Sequence, residues 1–213
     1  MKRFILPLLL LLFVGSLFAV ESAPSEVVGY VKYDCVAGLN LVALPMSQGY
    51  TLASEFADSY PGMLSEMNYW DSENQQWMTA VDWGYWEGDF SVEPGMVMMI
   101  NALSPFTMYS IGDMPTQNAS YNLQLNLNTL MIPLKKSAIT LASELATDIG
   151  EGSLTEINTW DAQNQQWATA VDWGYWEGDF AVSIGTPLMV QSAVDEVVWP
   201  SGPRRSANSR TQK

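Results

Sequence analysis

Twelve residues, T-A-V-D-W-G-Y-W-E-G-D-F, run from Thr79 to Phe90 and recur unchanged from Thr169 to Phe180. A chain that contains one block twice is read first as a tandem repeat, because each copy is then one structural unit that must fold the same way. The match reaches beyond the block. Asn74–Trp77 recurs as Asn164–Trp167, Trp70-Asp71 as Trp160-Asp161, and Leu52–Glu55 as Leu141–Glu144. Asn40 and Leu44-Pro45 return as Asn128 and Ile132-Pro133. The offset drifts from 88 at Pro45 to 89 at Leu52 and 90 at Trp70, so two single-residue length changes separate the copies, and both are expected between elements.

The ends carry an address. Lys2 and Arg3 precede an apolar run from Phe4 to Val14, then Gly15-Ser16 and small residues near Ala19. That is the pattern of an export signal, with residues 1–19 removed after Ala19, or alternatively after Ser22. The run is too short for a spanning helix, and no second apolar run of spanning length follows. The mature chain is expected to be secreted, periplasmic or on the cell surface, without inserting directly into a membrane. After Trp199-Pro200 the chain turns polar and basic, and residues 204–213 read as a disordered tail.

Charge narrows the partners. The net charge is −14, and loss of Lys2 and Arg3 makes it −16. Only Lys32, Lys135 and Lys136 lie in the body, against 23 acidic residues in the chain. Such a body repels nucleic acid and anionic membranes, and suits neutral ligands or cations. There is no histidine, which removes the commonest general base and zinc ligand together. Cys35 is the single cysteine, so no internal disulfide forms. Its apolar surroundings read as a buried, inert thiol, with pairing between chains as the alternative.

The expected fold is mainly β (α+β): two tandem homologous modules at 24–114 and 119–203, each a small β-sandwich or barrel-like sheet with one short helix. Strands are expected at Val27–Tyr33, Gly38–Met46, Leu64–Asp71, Gln76–Val81, Phe90–Val92, Met96–Asn101 and Phe106–Ile111. Leu64–Asp71 and Gln76–Val81 form a hairpin across turn formers Asp71–Gln75, which makes Trp70 and Trp77 cross-strand neighbours. Copy two repeats this with Trp160 and Trp167. Thr51, with Ser54 and Glu55 behind it, is expected to cap the short helix, and Gly62 and Gly150 to end it. The block D-W-G-Y-W-E-G-D reads as a loop. Four Trp per copy are expected to supply much of the core, since burying one removes about 150–250 Å² from water, about 4–6 kcal/mol at most. Met96, Met98 and Met99 read as alternating core residues rather than soft-metal ligands.

The run G-L-N-L-V-A-L-P, followed by W-D and then P-G-M-V-M-M-I, resembles a repeat of exported bacterial proteins that typically reads G-W-N-L-I-S-L-P…W-D…P-G-x-G-Y-W-V. Leu39 stands where that repeat often has Trp, Met96–Met99 replaces its aromatic strand, and copy two lacks the Gly before Leu127. The resemblance implies a β-rich extracellular module, with no established chemistry and no catalytic residues to carry over.

The candidate site follows from the undrifted block. Outside it the copies differ, as at Met67 against Ile157 and Val97 against Pro187; inside it nothing has changed. A loop free to vary drifts, so the block is either a shared ligand site or a tight packing unit. Asp82, Trp83, Tyr85, Trp86, Glu87 and Asp89 combine flat apolar faces with acceptors, as a saccharide site requires. Asp172, Trp173, Tyr175, Trp176, Glu177 and Asp179 form the twin, and two sites on one chain gain avidity for a polymer. The expected partner is a glycan or an envelope protein. The packing account instead has Trp83 and Trp86 covering a sheet edge while Gly84 and Gly88 set turns. No cofactor is expected; weak Ca²⁺ binding at Asp82, Glu87 and Asp89 is the alternative, although their spacing is not that of the twelve-residue helix-loop-helix site. An enzyme is not expected. The chain is expected to be an exported binding or adhesion protein, with a structural or assembly subunit of the cell envelope as the alternative and a small glycoside hydrolase third, because nothing singles out a carboxylate pair.

Overall fold

The structure, a computed structural model, describes residues 28–113 and 119–200. The segments expected to be the export signal and the basic tail, and most of the linker, lie outside the described residues.

Each copy builds one five-stranded antiparallel sheet. In copy one the strands are β2 (Gly38–Ala43), β3 (Leu64–Asp71), β4 (Gln76–Asp82), β5 (Trp86–Glu87) and β6 (Val97–Ala102), in the order β2-β6-β3-β4-β5. A separate ribbon pairs β1 (Val28–Cys35) with β7 (Phe106–Asp113). In copy two β8 (Tyr121–Leu123) pairs with β14 (Val197–Trp199). There β9 (Asn126–Met131), β10 (Leu154–Asp161), β11 (Gln166–Asp172), β12 (Trp176–Glu177) and β13 (Pro187–Ser192) make the sheet β12-β11-β10-β13-β9. The helices are α1 (Ala53–Asp58) and α2 (Ala142–Ile149). The mainly β, two-module reading holds, but neither sheet closes into a barrel.

The expected hairpin is present, with Trp70 opposite Trp77 and Trp160 opposite Trp167. Its alternation gives each sheet two faces. One face carries Met67 and Ala80 under α1, in a core with Phe56, Met98 and Ile100. The same face in copy two carries Ile157 and Ala170 under α2, with Leu145, Leu188 and Val190. These cores are built from Met, Leu, Ile and Phe, and Trp199 is the only buried Trp among the described residues. The expectation of Trp-filled cores is therefore corrected: the hairpin and block tryptophans lie at the margins, where a ring can hold both an apolar contact and a polar one. Cys35 is buried as expected, and burial pushes its thiol up to about 11.

The other face of each sheet meets the other copy. Leu41, Ala43, Val97 and Met99 pack with Met131, flanked by Tyr33, Leu39, Tyr121 and Trp160. Each sheet also packs on its own ribbon, through Cys35 and Met108 in copy one and Leu123 and Trp199 in copy two, so the contact between the modules is a further sheet-on-sheet layer. Its contacts come in pairs, as in an isologous dimer interface. The Tyr33 hydroxyl donates to the Gly185 carbonyl at 2.8 Å, and the Tyr121 hydroxyl to that of Gly95 at 3.0 Å. Burial pushes both phenols up, so both remain protonated donors.

Gln75 and Gln165 complete the pairing. Gln75 Nε2 donates to the Leu127 carbonyl at 2.9 Å, and the Leu127 N–H donates to Gln75 Oε1 at 3.0 Å. Gln165 binds both backbone groups of Leu39 at the same two distances. Trp70 and Trp160 Nε1 add bonds of 2.8 Å to the carbonyls of Leu127 and Leu39. These bonds close the outer edges of β2 and β9, which would otherwise offer free backbone groups to another strand. The missing glycine before Leu127 is also explained. Gly38 has φ +100 and its counterpart Asn126 has φ +76; Asn is one of the few other residues that adopt this region readily.

Three local expectations change. Phe90–Val92 is not a strand; only Ser91 bridges Leu52. Thr51 does not cap α1: its N–H and hydroxyl donate to Glu55 Oε2, as Thr140 does to Glu144. The one-residue excess of copy two is shared across the helix end: α2 has 8 residues against 6 in α1, and the connection to the next strand is one residue shorter, 150–153 against 59–63. Gly150 follows α2 directly, whereas α1 ends at Ser59, short of Gly62.

Candidate functional site

The repeated block is a hairpin, not an open loop. Val81 pairs with Glu87 and Asp82 with Trp86, so β4 turns back into β5 across Trp83–Tyr85. Copy two has the same register, Val171 with Glu177 and Asp172 with Trp176. The turn is held from within. Asp82 Oδ1 accepts the Gly84 N–H at 2.7 Å, and the Trp83 N–H donates to the Tyr85 carbonyl at 3.0 Å. In copy two the corresponding distances are 2.8 and 3.0 Å. A carboxylate that accepts an N–H two residues on is a turn-former's bond, and it fixes the tip without help from other elements.

Most of the invariant letters have a structural task. Trp86 packs on the core of copy one and Trp176 on that of copy two. Gly88 has φ +77, and a Cβ there would collide with the Thr79 carbonyl oxygen; Gly178 stands identically against Thr169. Asp89 receives the Ser54 N–H at 3.0 Å and the Ser54 hydroxyl at 2.5 Å, and Asp179 binds Ser143 at 3.0 and 2.6 Å. These carboxylates cap the helices from across the fold. Sequence reasoning missed that role, because the partners are 35 and 36 residues apart.

Trp83 and Tyr85 are different. They expose 68% and 65% of their surface, and Trp173 and Tyr175 expose 69% and 64%. No burial explains why two such rings stand unchanged in both copies. Glu87 and Glu177 are exposed beside them on the short return strands. Asp82 is exposed and Asp172 half-buried. The twelve candidate residues thus fall into three sets in each copy: in copy one Trp86 and Asp89 support the fold, Asp82 shapes the turn, and Trp83, Tyr85 and Glu87 face outward.

Among the described residues no three His, Cys, Asp or Glu side chains converge as a metal-binding group. None of the described helices is long and apolar enough to cross a membrane.

A concavity unforeseen in the sequence lies where Trp77 of copy one meets the copy-two sheet. It is a cleft of about 370 Å³ lined by Trp77 of copy one and by Leu127, Glu156, Asn158, Trp167, Thr169 and Met189 of the copy-two sheet. Trp77 and Trp167 are 42% and 41% exposed, each set edge-on against its hairpin partner, Trp70 or Trp160. On its floor Asn158 Nδ2 donates to Glu156 Oε1 at 2.7 Å, and the Thr169 hydroxyl donates to Asn158 Oδ1 at 2.6 Å.

Comparison with protein-family models, with curated proteins and with solved structures yields no match.

Proposed function

We propose that this chain is an exported, two-module binding or adhesion protein whose twin hairpin tips recognise a neutral glycan. The observation that carries this reading is the exposure of Trp83, Tyr85, Trp173 and Tyr175 within an otherwise structurally committed, identical block. Exposed indole and phenol faces stack on the C–H faces of sugars. Glu87 and Glu177 offer acceptors for hydroxyl groups. Duplication multiplies a weak contact, because the second tip binds at the effective concentration set by the first. The rigid turn lowers the ordering cost of binding. The acidic body favours an uncharged ligand over an anionic one.

The test is tryptophan fluorescence during titration with soluble neutral polysaccharides, with and without EDTA. The wild-type chain responds in both conditions, and the Trp83→Ala, Trp173→Ala double variant loses the part of the response that arises at the tips. A wild-type chain silent to every polysaccharide contradicts the proposal. A response abolished by EDTA restores the Ca²⁺ alternative.

A second reading, an assembly subunit of the cell envelope, draws on the β1–β7 ribbon. Tyr30, Tyr109 and Ile111 are exposed there, and the two tyrosine rings sit 6.3 Å apart. Concentration-dependent self-association in sedimentation, combined with no polysaccharide response, favours that reading.

A further inference from the structure

We infer that the cleft between the modules is a saccharide seat in its own right, which holds a short run of neutral pyranose rings between Trp77 and Trp167. The inference rests on the glycan reading of the tips for its ligand class, but it stands on separate residues.

Three features of the cleft point to this chemistry. First, the two ring walls belong to different copies and are equivalent positions of the repeat. They border one space although neither is needed to fill a core. The sheets pack tightly at their centre through Leu41, Met99 and Met131, and Trp77 and Trp167 stand on strands farther out, β4 and β11. Twisted sheets that touch at the centre diverge toward their margins, and the divergence leaves room between these rings.

Second, the floor is polar and ordered. The Thr169–Asn158–Glu156 chain holds its groups in place and leaves acceptor capacity on the Glu156 carboxylate and donor capacity on the Asn158 amide. Copy one has the same chain, Thr79 to Asn68 to Glu66, with 2.7 Å from Asn68 Nδ2 to Glu66 Oε1. An apolar wall with a few fixed polar groups is the composition of a small-molecule site, and about 370 Å³ lies within the usual range for one.

Third, no Lys or Arg lines the cleft, so nothing there compensates an anionic ligand. The cleft also lies in line with the tips along the strands. Five residues separate Trp77 from Asp82, about 17 Å at the rise of a strand. A polymer seated on the cleft can therefore run toward a tip without a large gap.

The test is hydroxyl-radical footprinting of the full wild-type chain, read by mass spectrometry, with cellohexaose, xylohexaose, maltohexaose and chitohexaose as probes. The expected result with at least one probe is a threefold or greater fall in oxidation of Trp77 and Trp167. Protection confined to Trp83, Tyr85, Trp173 and Tyr175 overturns the cleft and leaves the tips standing. Protection confined to the cleft supports the inference and removes the tips. Protection nowhere removes both. Protection of Trp77 and Trp167 by pentalysine, and by none of the sugars, reassigns the cleft to cationic peptides and overturns the inference. A Trp77→Ala, Trp167→Ala variant with an unchanged unfolding transition is expected to bind the protecting sugar at least tenfold more weakly; unchanged affinity contradicts the assignment.

Discussion

The side-chain amide of Gln75 closes both open backbone groups of Leu127, at 2.9 and 3.0 Å, and Gln165 does the same for Leu39. Each glutamine reaches its partner from a left-handed backbone, φ +52 and +51. A non-glycine residue there is strained, and the strain persists where the surrounding structure depends on the side chain. The repeat therefore conserves a contact between its own two halves, not merely a turn.

Gln75→Ala is expected to destabilise the protein by about 1–3 kcal/mol, since the side chain's three hydrogen bonds, two to Leu127 and one to the Ser72 carbonyl, vanish while the strained backbone remains. Gln75→Gly loses the same bonds but relieves the strain, so it is expected to be the milder change by about 1 kcal/mol. Chemical denaturation of both variants measures the difference. Equal stability of Gln75→Ala and wild type contradicts the role assigned to the amide.

The two glycines of the block separate sterics from backbone freedom. Gly84 has φ +87 with open space around a built Cβ, whereas the Cβ of an alanine at 88 meets the Thr79 carbonyl. Gly84→Ala is expected to cost about 1–2 kcal/mol, from the left-handed conformation alone. Gly88→Ala carries that term and a backbone collision, and is expected to cost at least about 3 kcal/mol. Thermal melts of the pair give the ordering, and a reversed order contradicts the hairpin geometry.

Much of this architecture was legible in the sequence. The hairpin Leu64–Asp71 with Gln76–Val81 could be read because alternation and turn formers are local signals. The helix was legible from its apolar spacing, but its cap was not, because Asp89 arrives from far along the chain. The module interface was hidden for the same reason: Gln75 looks like any polar turn residue, and only the folded chain places it against Leu127. Asn126 hid a glycine-like backbone under another letter. The identical block was readable as important but not as composite. Its second glycine, its second Trp and its last Asp answer to contacts within the fold, its first glycine to the left-handed backbone of the turn, and its first Trp and its Tyr to neither.

Acid is expected to act in part through Asp148 of copy two. Asp148 is partly buried, which raises its carboxyl, but hydrogen bonds from Lys136 and Trp199 and the Lys136 charge outweigh burial and hold it below the ordinary range. Lys136 Nζ lies 2.7 Å away and Trp199 Nε1 donates at 2.7 Å. A carboxyl depressed in the folded state contributes stability above its unfolded value, about 3.9, and that contribution is lost as pH falls through the lower folded value. Asp148→Asn is therefore expected to lower stability at pH 7 and to flatten its decline between about pH 5 and 2. Stability measured across that range checks both the sign and the window. A variant whose acid limb matches wild type removes Asp148 from this role.

If the twin tips recognise a ligand, Trp83 and Trp173 are kept for contact outside the chain rather than for folding. The direct measurement is the unfolding free energy of the Trp83→Ser, Trp173→Ser double variant. Exposed rings with no packing task predict a change within about 0.5 kcal/mol per site. A loss beyond about 2 kcal/mol per site would show that the rings serve the fold, and the outward-facing pair would then carry no case for recognition.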